Sequence, residues 1–115
     1  MARKPVPKAQ KRSRAVRLEP CELYLIVHNA ALTVDIKEAL FGAGIEGYTV
    51  VEGVHGQGRS GKRFGDDVFP GINHLLLVAV PPAASSRLRV RLTGISAAHP
   101  GAGLKILAVA AKDLL

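Results

Sequence analysis

The 115-residue chain has no tryptophan, and aromatic residues make up only 4% of it. A core of ordinary size must therefore be filled by Leu, Val, Ile and Ala, which suits alternating strands and helices better than an aromatic-rich sandwich. One cysteine, Cys21, excludes an internal disulfide and gives no sign of an oxidising compartment. No apolar run approaches the roughly 20 residues that span a bilayer. The basic start is not followed by an apolar segment, so it does not read as a secretory signal, and cytoplasmic residence is the expectation.

Charge is unevenly spread. The net charge is +7, yet residues 1–20 hold seven of the sixteen bases and one of the nine acids. The remaining chain is close to neutral. Residues 1–20 lack strand or helix periodicity and are expected to form a disordered tail, with a single domain over 21–115. Seven scattered bases without aromatics read as a solvated extension rather than as a nucleic-acid arm, although a tail-mediated nucleic-acid binder stays open as a third reading.

Glu22–His28 (ELYLIVH) and His74–Val80 (HLLLVAV) are apolar runs that read as buried strands. Between them, Leu32, Ile36, Leu40 and Ala43 mark one face of a helix that stops at Gly44. Gly47–His55 reads as a strand, followed by an irregular loop over Gly56–Gly71. Leu88, Leu92 and Ile95 mark a second helix, His99–Gly103 breaks it, and Leu104–Ala110 reads as a last strand. The order βαββαβ predicts an α+β, ferredoxin-like sandwich: a four-stranded antiparallel sheet with two helices on one face. The two most apolar strands belong at its centre. Neither alternates as a strand with one wet face should, so the uncovered sheet face asks for burial against other copies.

Two glycine loops carry the candidate binding site, and both are expected at one edge of the sheet. Gly56-Gln57-Gly58-Arg59-Ser60-Gly61 matches G-x-G-x-x-G, but no helix follows it, so it is not a dinucleotide fingerprint. The same stretch has Arg63 where a Walker A loop needs Ser or Thr. What survives is a set of backbone N–H groups beside Arg59, Lys62 and Arg63, able to hold a phosphate or carboxylate. Gly101, Gly103 and Lys105 form the second loop. Metal ligation is weakly supported: His55 and His74 are placed to face one another on hairpin strands, with Asp66 and Asp67 in the loop between. No arrangement of nucleophile, base and orienting group indicates an enzyme.

The run Ile36-Lys37-Glu38-Ala39-Leu40, Gly44-Ile45, Gly47 and Thr49-Val50 resembles the first helix and second strand of PII signalling proteins. Gly56-Gln57-Gly58-Arg59 is similar to the start of that family's long T-loop, and Gly101-Ala102-Gly103-Leu104-Lys105 to its G-x-G-K loop. The resemblance spans residues 22–110 and implies a homotrimer with ligand clefts between subunits. It also implies a small-molecule effector and a partner that is a membrane transporter or a regulated enzyme. Implied ligand-binding residues are Gly58, Arg59, Ser60, Gly101, Gly103 and Lys105, joined by Gly56, Gly61 and Lys62 from the loop itself. No cofactor is fixed; ATP, ADP, AMP or bicarbonate are the ligands to expect. The loop is shorter than a typical T-loop and contains no Tyr. Lys105 stands one residue later than the family's Lys, which on a strand turns it to the opposite face. These departures resemble the divergent PII-like branch; the CutA metal-tolerance family, which shares the fold, is the alternative.

Overall fold

A computed structural model describes residues 18–58, 61–62 and 72–115. The elements are β1 (Glu19–Asn29), a 3-10 turn (Ala30–Leu32), α1 (Thr33–Gly42), β2 (Thr49–Val54), β3 (Asn73–Val80), α2 (Pro82–Ala98) and β4 (Lys105–Asp113). Gln57–Gly58 and Gly61–Lys62 pair in a separate two-residue ladder. The main sheet has the order β2-β3-β1-β4, all antiparallel, so the two most apolar strands are its central pair. The α+β ferredoxin-like sandwich expected from the element order is the fold observed.

Strand alternation decides the core. Tyr24 and Ile26 of β1, and Leu76, Val78 and Val80 of β3, point toward the helices and are almost wholly buried. Leu32, Ile36, Leu40 and Ala43 meet them from the first helical segment, and Leu88 and Leu92 from α2. Asn29 starts the first segment, its Oδ1 accepting from the Ala31 N–H at 2.8 Å. A Schellman motif ends it: the Ile45 N–H reaches the Leu40 carbonyl, the Gly44 N–H reaches the Phe41 carbonyl, and Gly44 takes φ +85°. Pro82 occupies the first turn of α2, where a missing N–H costs nothing. Beneath that turn the Tyr24 hydroxyl donates to Ser85 Oγ, which donates to the Glu22 carboxylate, tying β1 to α2.

Three strands exceed their expected bounds, β3 only by Asn73. β1 begins at Glu19, inside the segment expected to be tail, because Glu19 and Pro20 pair with Asp113 and Lys112. Among the described residues only β4 flanks them there, so Pro20 has one open side, the setting in which a strand tolerates proline. β4 likewise runs on to Asp113. Residues 1–17 of the expected tail lie outside the described residues.

Candidate functional site

Antiparallel pairing brings both glycine segments to one end of the sheet. β2 ends at Val54 beside Asn73, Asn73 pairs with Asn29 at the end of β1, and β4 starts at Lys105 beside Val27. The expected common edge is not what forms. The first loop leaves β2 and the second feeds β4, and these strands are the two opposite edges. Three interstrand steps, about 14 Å, separate them. The cause is the crossover through α2, which carries the chain across the sheet before the second loop.

The first loop is launched by a β-bulge. Gly53 interrupts the register between Glu52 and Val54 at φ +71°, and its N–H donates to His74 Nδ1 at 3.3 Å. His74 stands edge-on to His28, with ring centroids 6.0 Å apart. His28 is wholly buried. Its Nδ1 lies 3.1 Å from the Ile26 carbonyl, which can only accept, so Nδ1 carries the proton and Nε2 takes the Thr33 hydroxyl at 2.9 Å. Burial pushes the His28 pKa below the usual histidine value. The Ile26 carbonyl opposes that shift and nearby His74 adds to it.

The predicted residues are placed as follows. Gly56 is exposed, and Gly58 opposes Gly61 as Gln57 opposes Lys62. Arg59, Ser60, Asp66 and Asp67 lie outside the described residues. Gly101 and Gly103 adopt φ +86° and +76°, conformations that suit glycine, in a turn closed by the Ala102 N–H on the His99 carbonyl. Lys105 pairs with Val27 and is exposed on the uncovered sheet face with Leu107, as its offset from the family's lysine implies. His55 and His74 do not face each other. His74 is paired with Glu52 and His28, and His55 lies exposed beyond the end of β2, because the pairing that resumes after the bulge at Val54 and Asn73 stops there. No cluster of His, Cys, Asp or Glu able to hold a metal occurs among the described residues.

Sequence reading missed the polar residues at this end of the central strands: His28, Asn29 and Asn73, all buried. His28–His74 and Asn29–Asn73 are cross-strand partners 46 and 44 residues apart in the chain, a juxtaposition that only register creates. A groove of about 380 Å³ opens between the helices, bordered by Asp35, Glu38, Arg91 and His99, with His99 Nε2 3.5 Å from Asp35. None of the predicted loop residues lines it.

Fold and loops together define a class: a ferredoxin-like βαββαβ domain with glycine turns at one end of its sheet. The sequence profile of nitrogen regulatory protein P-II matches residues 22–111, and the chain belongs to that family. Among solved structures it resembles CPII, a nitrogen regulatory PII-like protein from Thiomonas intermedia, bound to ADP, AMP and bicarbonate. Identity is 22%, coverage 86% of this chain and 92% of that one, and the TM-score 0.73. The same protein bound to ADP, AMP and acetate matches at 20% identity, with coverage of 85% and 92% and a TM-score of 0.65. A PII-like signaling protein from Thermus thermophilus matches at 21% identity, with coverage of 84% and 90% and a TM-score of 0.57. These likenesses establish the fold. No curated protein sequence matches significantly. Among the described residues no helix is long and apolar enough to cross a membrane.

Proposed function

We propose that this protein is a PII-like sensor that binds an adenine nucleotide, together with a small anion such as bicarbonate, in clefts between the subunits of a homotrimer. The separation of the two glycine loops carries this reading. A nucleotide cannot easily be gripped by loops at opposite edges of one sheet, whereas neighbouring copies can bring the first loop of one to the second loop of the next. The uncovered sheet face supports the same association. Leu107 and Val109 are about half exposed, and Leu23, Leu25, Val27, Leu75 and Leu77 are half-buried with no helix over them among the described residues.

In this reading Gly56, Gly58, Ser60 and Gly61 present backbone and hydroxyl donors, Arg59 and Lys62 meet phosphate, and Gly101 and Gly103 close the neighbouring side. Lys105 borders the contact between copies. The occupied loop reports to a partner, a transporter or an enzyme, and no chemical step is assigned to the protein itself. Cytoplasmic residence belongs to this reading, in keeping with its lone cysteine. Ultracentrifugation and calorimetry test it together. The expected mass is three chains of 12.2 kDa, with saturable binding of ADP or AMP weakened at least tenfold by Arg59→Ala. A single-chain mass at micromolar concentration, or no heat with ATP, ADP, AMP or bicarbonate, overturns it.

A further inference from the structure

Among the described residues one buried side-chain atom has no hydrogen-bond partner: Asn73 Oδ1. Asn73 is only 7% exposed. A buried amide oxygen left unmet is destabilising, and such groups in native proteins call for an explanation. Its position supplies one. Asn73 opens β3 immediately after the first glycine loop, beside the last residue of β2 and across from Asn29. Strand alternation puts it on the uncovered sheet face with Leu75 and Leu77, at the end where both loops emerge. Beyond Asn29 that face is apolar: Val27, Val51 and Leu75 form the next cross-strand row, which ends at Lys105.

An unmet acceptor beside an apolar row selects for a donor. A site built to hydrogen-bond a ligand's O–H rejects the analogue lacking it far more strongly than a missing methylene would be rejected. Bicarbonate carries one O–H beside its anionic oxygens. Nitrate and acetate have nearly the same size and charge but only accept. Lys105, at the end of the neighbouring row, supplies a cation on the same face. We propose that Asn73 is the specificity residue of the anion site. Its Oδ1 accepts the O–H of a protonated oxyanion and thereby separates bicarbonate from acceptor-only anions. This deepens the sensor reading and rests on it.

The experiment is calorimetry on the full chain, with ADP present, using bicarbonate, nitrate and acetate at pH 8, on the wild type and Asn73→Leu. The wild type is expected to bind bicarbonate at least tenfold more tightly than nitrate or acetate. Asn73→Leu is expected to lose that preference while keeping ADP affinity within about threefold. Melting of the ligand-free proteins gives a second readout. Leucine removes an unsatisfied oxygen of similar volume, so the variant is expected to melt at or above the wild-type temperature. Equal binding of the three anions by the wild type overturns the proposal without any variant. So does a preference that survives Asn73→Leu, or a variant that melts several degrees lower, which would mean that water or protein already satisfies the amide. A wild type that binds ADP but no anion removes this proposal and leaves the nucleotide reading standing; one that binds nothing removes both.

Discussion

The two faces of the sheet are built from similar residues and meet different fates. Toward the helices, Tyr24, Ile26, Leu76, Val78 and Val80 are at most 2% exposed. On the other face, Leu23, Leu25, Val27, Leu75 and Leu77 remain half-buried, while Val51, Leu107 and Val109 stay between 42% and 52% exposed. Apolar side chains are therefore spread over both a face that the described helices cover and one that the described residues leave open. A side chain on the first face stabilises the monomer fold. On the second it contributes only when something else arrives. Stability measured at one protein concentration would blur this distinction, and varying the concentration exposes it.

Leu76→Ala and Leu25→Glu are the strongest test of that division. Leu76 is fully buried in the helix-facing core, so Leu76→Ala is expected to cost about 2–5 kcal/mol in urea unfolding. That loss should be the same at low and high protein concentration, relative to the wild type at each. Leu25 pairs with Leu77 and Leu107 in the middle of the other face. Leu25→Glu is expected to reduce the sedimenting species to a single chain, because a carboxylate cannot be buried there unpaired. Its unfolding midpoint should also cease to depend on concentration. An unchanged mass for Leu25→Glu would mean that the uncovered face is not where copies meet.

A smaller effect sharpens the comparison from the covered side. His28 is a titratable group locked inside it, neutral and bonded at both ring nitrogens. Its folded pKa lies below that of the unfolded chain, so the unfolded state binds more protons in the interval between the two values. Stability from His28 is thus fully present at neutral pH. It declines as pH falls through the unfolded value near 6.5, and the loss stops once the lowered folded value is passed. Urea unfolding at pH 7.5, 6.5 and 5.5 should show this decline in the wild type and a shallower one in His28→Gln. Equal slopes would mean that the buried ring is not what the fold must keep uncharged.

What could be read in the sequence follows the same line. ELYLIVH and HLLLVAV announce the central pair because burial on both faces erases alternation, and Leu32, Ile36, Leu40 and Ala43 announce the helix because its period is local. The strand ends are less legible. β4 (KILAVAAKD) owes its length to pairing with β1 rather than to its own pattern, and β1 starts at Glu19 because Glu19 and Pro20 pair with that extension. The binding residues proposed in the loops rest on glycine spacing, which is visible along the chain. Asn73 and the His28–His74 pair could not be found that way, since their meaning comes from a register fixed by folding. Nor could the loops' separation be read before the strand order was known.

The smallest expected effects concern two glycines near the end of α1, which look alike in sequence and differ in cause. Gly44 takes φ +85° to close the Schellman motif, with almost nothing near its missing Cβ. Gly44→Ala is therefore expected to cost about 1 kcal/mol through backbone strain alone. Gly42 is helical, and a Cβ there would fall 2.6 Å from Arg91 Cζ. That atom is the far end of an exposed, flexible side chain, which can swing aside. The better helix propensity of alanine, up to about 1 kcal/mol, offsets the displaced contact, so Gly42→Ala is expected to fall within about 0.5 kcal/mol of the wild type. Thermal melts of the two variants should differ by several degrees, with Gly44→Ala the lower. If Gly42→Ala proves the costlier, the Arg91 guanidinium is fixed over the helix end, and the helix layer is more tightly joined than a single hydrogen bond from Arg87 to the Ala43 carbonyl implies.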